Sequence, residues 1–497
     1  MTLAAPASAA WRVAETENFR VYSEGSEKTL TMRAERLERF DLLLRRLTRV
    51  PDDRTMPPLT VYMTNNPAHL ADATGVGRSI AGFYIANADG IAAFVSRSAR
   101  GGPTGDDILL HEYVHHFMMQ HFPLAYPRWY VEGFAEYFQT ADLDGDFIAY
   151  GVPSKMRTRA LASFPWVPMD LVLKDEVGPL GDLGATMFYA QSWLLTHYLQ
   201  RTEAHAGKLP DYMEQVANGA APVAAFEETF GIEVDTLERV LRAYARKGMS
   251  YSRIDVPDGF FETRIRTIER LPGSIDGLVI RHAALMAGVT GRKSETILAK
   301  LRRDAADAPD DEALQRLWMS AEAVRGDAQA AIAPLAARLE ADPADADAAF
   351  LTARAQERLW RETGDKDMRT AARGSYAQAF RHRPDHFETL FGYARLSTDA
   401  ASANTRDALL EAHRLAPQVV PIGAYLSLSY AGAGEFDEAI AILKRVRGRH
   451  LSDNERTLIT GLLQAIDQSR EGGPATVDLP AMLSEQDGTE TEALPEG

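Results

Sequence analysis

His111 and His115 stand four residues apart, and Glu132 and Glu136 repeat that interval after a short break. Residues four apart on an α-helix project from one face, so two helices must carry these pairs. Asp106 and Asp107 suit the positive end of a first helix. Ile108, Leu109, Val114 and Phe117 can bury its side chains while the histidines face a cleft. Pro123 and Pro127 then break the pattern, and a second helix is expected from near Arg128. Two imidazoles on one face can clamp a divalent ion, and nitrogen ligands suit zinc. A carboxylate from the second helix would complete three protein ligands and leave a fourth position open. Glu112, beside the first histidine, is placed to act as a general base.

His111-Glu112-Tyr113-Val114-His115 followed by Glu132-Gly133-Phe134-Ala135-Glu136-Tyr137 resembles the gluzincin (MA-clan) metallopeptidases, which include the thermolysin-like and aminopeptidase N-like enzymes. The resemblance implies an α+β zincin-like metallopeptidase domain, with a mixed-sheet upper lobe and a helical lower lobe. It also implies one zinc ion (Zn2+) per chain and hydrolysis of peptide bonds in a peptide or protein substrate. The family's third zinc ligand maps onto Glu132. The acidic residue four later, Glu136, maps onto a carboxylate that holds a ligand histidine and so fixes its tautomer. Sixteen residues separate His115 from Glu132, slightly fewer than the family spacing, which keeps Glu136 open as an alternative ligand.

Tyr189, within Phe188-Tyr189-Ala190-Gln191-Ser192-Trp193-Leu194-Leu195, falls near where the aminopeptidases place a catalytic tyrosine. A phenol there would stabilise the developing oxyanion; a tyrosine packed in the lower lobe is the equal alternative. His197, eight residues on along the same face, is a weaker second candidate. His116 and His121 read as surface or packing residues. The chain lacks the GxMEN motif of those aminopeptidases, which argues against aminopeptidase action.

Upstream, Phe19 and Val21 alternate as a strand, and Leu30 to Leu47 recur at helical spacing. Arg33, Arg36, Arg39, Arg45 and Arg46 between them read as a solvated helix face rather than an anion-binding stripe. Leu59 to Met63 forms another strand, and Gly82–Ile85 with Ile91–Ser96 a hairpin around Asn87-Ala88-Asp89-Gly90. In the resembled family the strand before the metal helix borders the cleft and pairs with extended substrate. Ile91–Ser96 is the candidate here, with a plain edge or core strand as its alternative. Ala225 to Gly231 and Leu237 to Tyr244 read as closing helices of this domain, and similar segments occur in bacterial peptidase-MA-like proteins with tetratricopeptide-type repeats.

Pro309, Pro343, Pro384 and Pro417 recur at intervals of 34, 41 and 33 residues. The tetratricopeptide (TPR) period is about 34 residues, and a seven-residue insertion near Glu362–Met368 would account for the long interval. Ala-rich helix pairs between the prolines are expected to form an all-α TPR-like solenoid, whose concave face would take a protein or peptide partner. The expected domains are 11–250 for the metallopeptidase unit, 251–273 for a polar linker and 274–470 for the repeats. Residues 471–497 carry seven acidic residues and no basic ones, the composition of a disordered tail.

The net charge of −16 argues against sequence-independent nucleic-acid binding. With no cysteine there is neither a disulfide framework nor a thiolate site, so any zinc must be held by histidine and carboxylate. No apolar run approaches a membrane span. The opening MTLAAPASAA resembles the end of a signal peptide, which would make the protein exported or periplasmic; a flexible terminus on a cytoplasmic protein is the alternative. Two other functions compete with peptide hydrolysis: a protein-interaction scaffold with an inactive zincin-like domain, and a zinc hydrolase of another class.

Overall fold

A computed structural model of the chain describes residues 10–51, 56–77, 82–96, 105–122, 126–260, 264–397, 402–447, 451 and 453–472. The signal-like stretch and the acidic tail fall almost wholly outside these residues. No described helix is long and apolar enough to cross a membrane.

Alternating apolar residues build a mixed six-stranded sheet. Its strands are β1 (Trp11–Thr16), β2 (Phe19–Glu24), β3 (Leu59–Thr64), β4 (Gly82–Asn87), β5 (Gly90–Ser96) and β8 (Ile265–Arg270). Their order in space is β4-β5-β3-β2-β1-β8. The β2–β3 and β3–β5 pairs are parallel and the others antiparallel. Parallel neighbours require crossovers, which α1 (Glu27–Thr48) and α2 (Pro67–Thr74) supply. Both start on a side-chain cap, Ser26 for α1 and Asn66 for α2. A separate ribbon pairs β6 (Phe147–Tyr150) with β7 (Ser252–Asp255).

The period of two sends alternate side chains to opposite faces, and here both faces are buried. Phe19, Val21, Val61, Met63, Ala93 and Val95 face a core shared with α1 and α3 (Gly105–His121). The same core continues through α4 (Arg128–Phe138), α5 (Lys155–Ser163), α6 (Met169–Lys174) and α7 (Gly181–Arg201). Helices Pro222–Phe230 and Val234–Arg246 close it with Phe226, Phe230, Leu237 and Leu241.

The other face carries an aromatic ladder. Tyr22 stacks on Tyr62 at 4.9 Å between ring centroids, Tyr62 on Phe94 at 5.2 Å and Phe94 on Phe83 at 4.9 Å. Helices Val279–Met286, Gly291–Asp307 and Glu312–Val324 cover this ladder with Val279, Ala283, Ile297, Leu301 and Leu314. The first helices of the C-terminal array are therefore the second layer over the sheet.

Two expectations change at this level. Ile91–Ser96 lies inside the sheet, paired with β3 on one side and β4 on the other; among the described residues β4 forms the edge. Both backbone edges of β5 are committed, so an added strand has no place there. Residues 251–273 hold β7 and β8, and β8 pairs along β1, so this stretch is built into the sheet and not only a connector.

Beyond Met286 the described chain is helical. The helix pairs 312–324 with 328–341, 346–363 with 366–382, 387–395 with 403–415 and 420–432 with 436–447 lie between or after the periodic prolines. The long 41-residue interval resolves into longer helices. The pair after Pro343 has 18 and 17 residues, against 13 and 14 in the pair before it. Gly364, at φ +74°, turns the chain between them. Close packing rests on small residues: a Cβ on Gly423 would lie 2.8 Å from Val446.

Candidate metal centre

The α3 and α4 helices form where the residue pattern places them, at Gly105–His121 and Arg128–Phe138. They pack on one another, and α4 also packs along α7. Gly133 sets that second approach. A Cβ there would lie 2.5 Å from the Ser192 carbonyl oxygen and would also collide with Thr196 Oγ1. With hydrogen at this position, α4 sits close enough to α7 to turn Glu132 and Glu136 back toward α3.

The result is a convergence of three donor atoms. Nε2 of His115 lies 3.0 Å from Nε2 of His111. Oε2 of Glu132 is 3.4 Å from Nε2 of His111 and 3.5 Å from Nε2 of His115. The two rings stand nearly perpendicular, at 85°. All three side chains are largely buried, with the histidines 12% exposed and Glu132 6%.

A tetrahedral ion with bonds of about 2.0–2.1 Å separates its ligands by roughly 3.3–3.4 Å. The three spacings bracket that value, and the donor set of two imidazoles and a carboxylate is one that zinc accepts. These residues fit the implied group.

Electrostatics reinforce the cluster. Burial opposes charge on His111, but its hydrogen bond to Glu132 and the charges of Glu136, Glu132 and Glu112 outweigh it and raise its pKa. Burial likewise opposes charge on Glu132, yet both histidines hold its pKa well below the usual carboxylate range. Glu112 differs. Burial raises its pKa against the pull of His115 and His111, and its carboxylate makes no hydrogen bond to any described residue. A carboxylate with raised basicity and open lone pairs can accept a proton.

Glu136 lies on the opposite side of His111, with Oε1 3.7 Å from Nδ1. Arg157, at the start of α5, holds it with Nε 2.7 Å from Oε2 and Nη2 against Oε1. Gln139 donates to it as well. With its oxygens so engaged and facing Nδ1, Glu136 stands outside the group of three donors. Arg157 has no signal in the sequence, because nothing near the glutamates foretells which arginine will reach them.

Tyr189 is buried on α7 with the Arg157 guanidinium 5.2 Å from its ring centroid. Burial, then the charge of Glu132, raises its pKa, while Arg128 works the other way through charge and a hydrogen bond. The raised pKa keeps the phenol protonated near neutral pH. Arg128 stands one helical turn before Glu132 and was also unforeseen. Its Nη1 reaches Asp175 Oδ1 at 3.0 Å, and its guanidinium lies 4.8 Å from the Phe188 ring centroid.

Other expectations lie away from the cluster. His197 is fully buried, with Nδ1 2.7 Å from the Tyr244 hydroxyl and Nε2 3.1 Å from the Gly151 carbonyl oxygen. Burial lowers its pKa to about 4, so it is a neutral packing residue with both nitrogens committed. His116 is similar: Nδ1 lies 3.0 Å from the Tyr84 hydroxyl, and burial first, with help from His121 and Arg45, lowers its pKa to about 3. The α1 arginines form no anion stripe. Arg36 pairs with Asp144 and Arg45 with Asp41, while Arg46 donates to the Asp255 carbonyl and Arg33 to the Ser23 hydroxyl.

No family model matches the chain, and no curated protein matches it. Among solved structures it is similar to a thermophilic TPR protein of Thermus thermophilus, at 17% identity and a TM-score of 0.30, over 35% of this chain and 91% of that one. That likeness is too distant to assign a family.

Proposed function

We propose that this chain is a zinc-dependent metallopeptidase, with His111, His115 and Glu132 as ligands and Glu112 as general base. What supports the reading is the convergence of two Nε2 atoms and one Oε2 at 3.0, 3.4 and 3.5 Å, next to a carboxylate of raised basicity. Bound there, zinc would supply a Lewis acid for the scissile carbonyl and render a water acidic near neutral pH.

The chain's own residues do the rest. Glu112 takes a proton from the attacking water, whose oxygen joins the carbonyl carbon. The C–N bond then breaks, and Glu112 returns the proton to the leaving nitrogen. Glu136, fixed by Arg157, orients His111 through its Nδ1 side. Tyr189, with its phenol protonated, gives a hydrogen bond to the oxyanion and keeps its proton. Among the described residues β4 carries no strand on its outer side, which supports pairing of its backbone groups with an extended peptide.

Metal content after dialysis, read by elemental mass spectrometry, tests the reading first. One zinc per chain is expected, lowered in Glu132→Gln and retained in Glu112→Gln. Hydrolysis of denatured casein should fall about 10²–10⁴-fold in Glu112→Gln. A wild-type protein that takes up no zinc when it is added back would overturn the proposal.

A further inference from the structure

The β4–β5 turn reaches out of the sheet into the repeat helices. Asp89 Oδ1 accepts from Arg354 Nη2 at 2.6 Å, and its Oδ2 from Arg325 Nη2 at 2.7 Å. Each carboxylate oxygen is thus held by a different guanidinium, one from helix 346–363 and one capping helix 312–324. The turn is shaped for this seat. Asn87 Oδ1 accepts the Asp89 N–H at 2.9 Å, while its Nδ2 donates to the Ala287 carbonyl at 3.3 Å. On either side, Ala86, Ala88 and Ile91 pack against the cluster of Phe387, Leu390 and Phe391.

The seat is electrostatically incomplete without the aspartate. Glu357 already serves Arg395, Arg361 and the Tyr376 hydroxyl, and Arg354 Nη1 is 3.6 Å from it. Asp89 is the carboxylate that both Arg325 and Arg354 share. Partly buried guanidinium groups, here Arg354 at 11% exposure and Arg325 at 27%, are costly to keep in place once they lose their counter-ion.

The same array also grips the histidine helix. Gln120, in the last turn of α3, donates to the Leu415 carbonyl at 2.9 Å and accepts from Gln418 at 2.8 Å. The two gripped elements touch each other, since a Cβ on Gly82 of β4 would lie 2.5 Å from Ile108 of α3.

We propose that this face of the repeat helices is a receptor for an acidic tight turn and that its occupant is the chain's own Asn87–Gly90 turn. Seating of Asp89 locks β4 and α3, the two elements beside the histidines, to the repeat array as one unit. The array then works on its own chain, whatever reaction the histidines serve.

Hydrogen exchange by mass spectrometry on the full-length chain tests this, comparing wild type with Asp89→Asn, Asp89→Glu, Arg354→Gln and the double variant Asp89→Asn/Arg354→Gln. In Asp89→Asn, exchange should accelerate about tenfold or more across residues 82–96, 105–121 and 312–324 together. Asp89→Glu keeps the charge and should retain most of the protection. The double variant should be no worse than the more affected single variant, as expected for one shared contact. Acceleration confined to residues 87–90, equal effects of Asn and Glu, or additive effects in the double variant would each overturn the proposal. Should Asp89→Asn fail to fold, folding of Asp89→Glu supports the charge requirement, and failure of both variants alike refutes it.

Discussion

Arg157 holds both oxygens of Glu136, with Nε 2.7 Å from Oε2 and Nη2 against Oε1, while Oε1 faces His111 Nδ1 at 3.7 Å. A chain of contacts thus runs from the arginine on α5 through a glutamate on α4 to His111 on α3, the proposed zinc ligand. Replacing Arg157 with Gln takes the guanidinium counter-charge from a buried carboxylate and leaves it the Gln139 donor, a change that costs about 3–5 kcal/mol. It also frees the imidazole to rotate. Zinc affinity, measured by competition with a chromogenic chelator, should fall roughly 10–100-fold. Unchanged affinity would show that Glu136 does not orient His111.

Gly133→Ala is expected to harm more than its single methyl suggests. The added Cβ meets the Ser192 backbone and Thr196 on α7, and backbone cannot move aside as a flexible side chain can. Overpacking of this kind costs about 1–3 kcal/mol. Because Glu132 is the adjacent residue, zinc retention should fall in the same variant. Chemical denaturation and metal analysis together check both parts. Full stability would mean that the α4–α7 approach is looser than the geometry indicates.

Tyr189→Phe should keep zinc and fold normally while losing about 10²–10³-fold in turnover, the usual cost of one oxyanion donor. Its ring would still sit under Arg157. Steady-state kinetics on a cleaved substrate provide the readout. Wild-type turnover in this variant would make Tyr189 a packing residue only.

A pH effect should appear at the repeat interface. The pKa of Glu388 is raised to about 7, by burial first and with help from Asp89, against a backbone hydrogen bond and the charges of Arg383 and Arg354. His386 Nε2 lies 3.1 Å away. The folded state therefore binds a proton that the unfolded chain, with an ordinary carboxyl near 4.5, gives up. Stability from this group is highest at low pH and declines as pH rises from about 5 to 8, by about 3 kcal/mol in all. His386 acts in the opposite sense, because burial first, then Arg383, holds its pKa well below the usual range. The comparison with Glu388→Gln isolates the carboxyl. The variant should gain stability relative to wild type as pH rises across this window, seen as a rising difference in urea midpoints. A constant difference would exclude Glu388 as the source.

The sequence by itself determined what depends on near neighbours along the chain. The i, i+4 spacing of His111 and His115 is a property of one helix, and it aims both rings the same way before any other element is present. Alternation in β2 and β3 and the proline period of the repeats are local in the same sense. Tertiary structure decided what crosses between elements. Tyr22 and Tyr62 read as ordinary alternates of Val21 and Val61, yet they lie in an aromatic ladder because helices from residue 279 onward cover that face. Arg157 reaches Glu136 from 21 residues away, and Arg354 reaches Asp89 across 265. Charges with many possible partners are assigned only when folding has removed water and fixed distances. Periodicity can place a side chain on a face, and only the packed chain settles what that face meets.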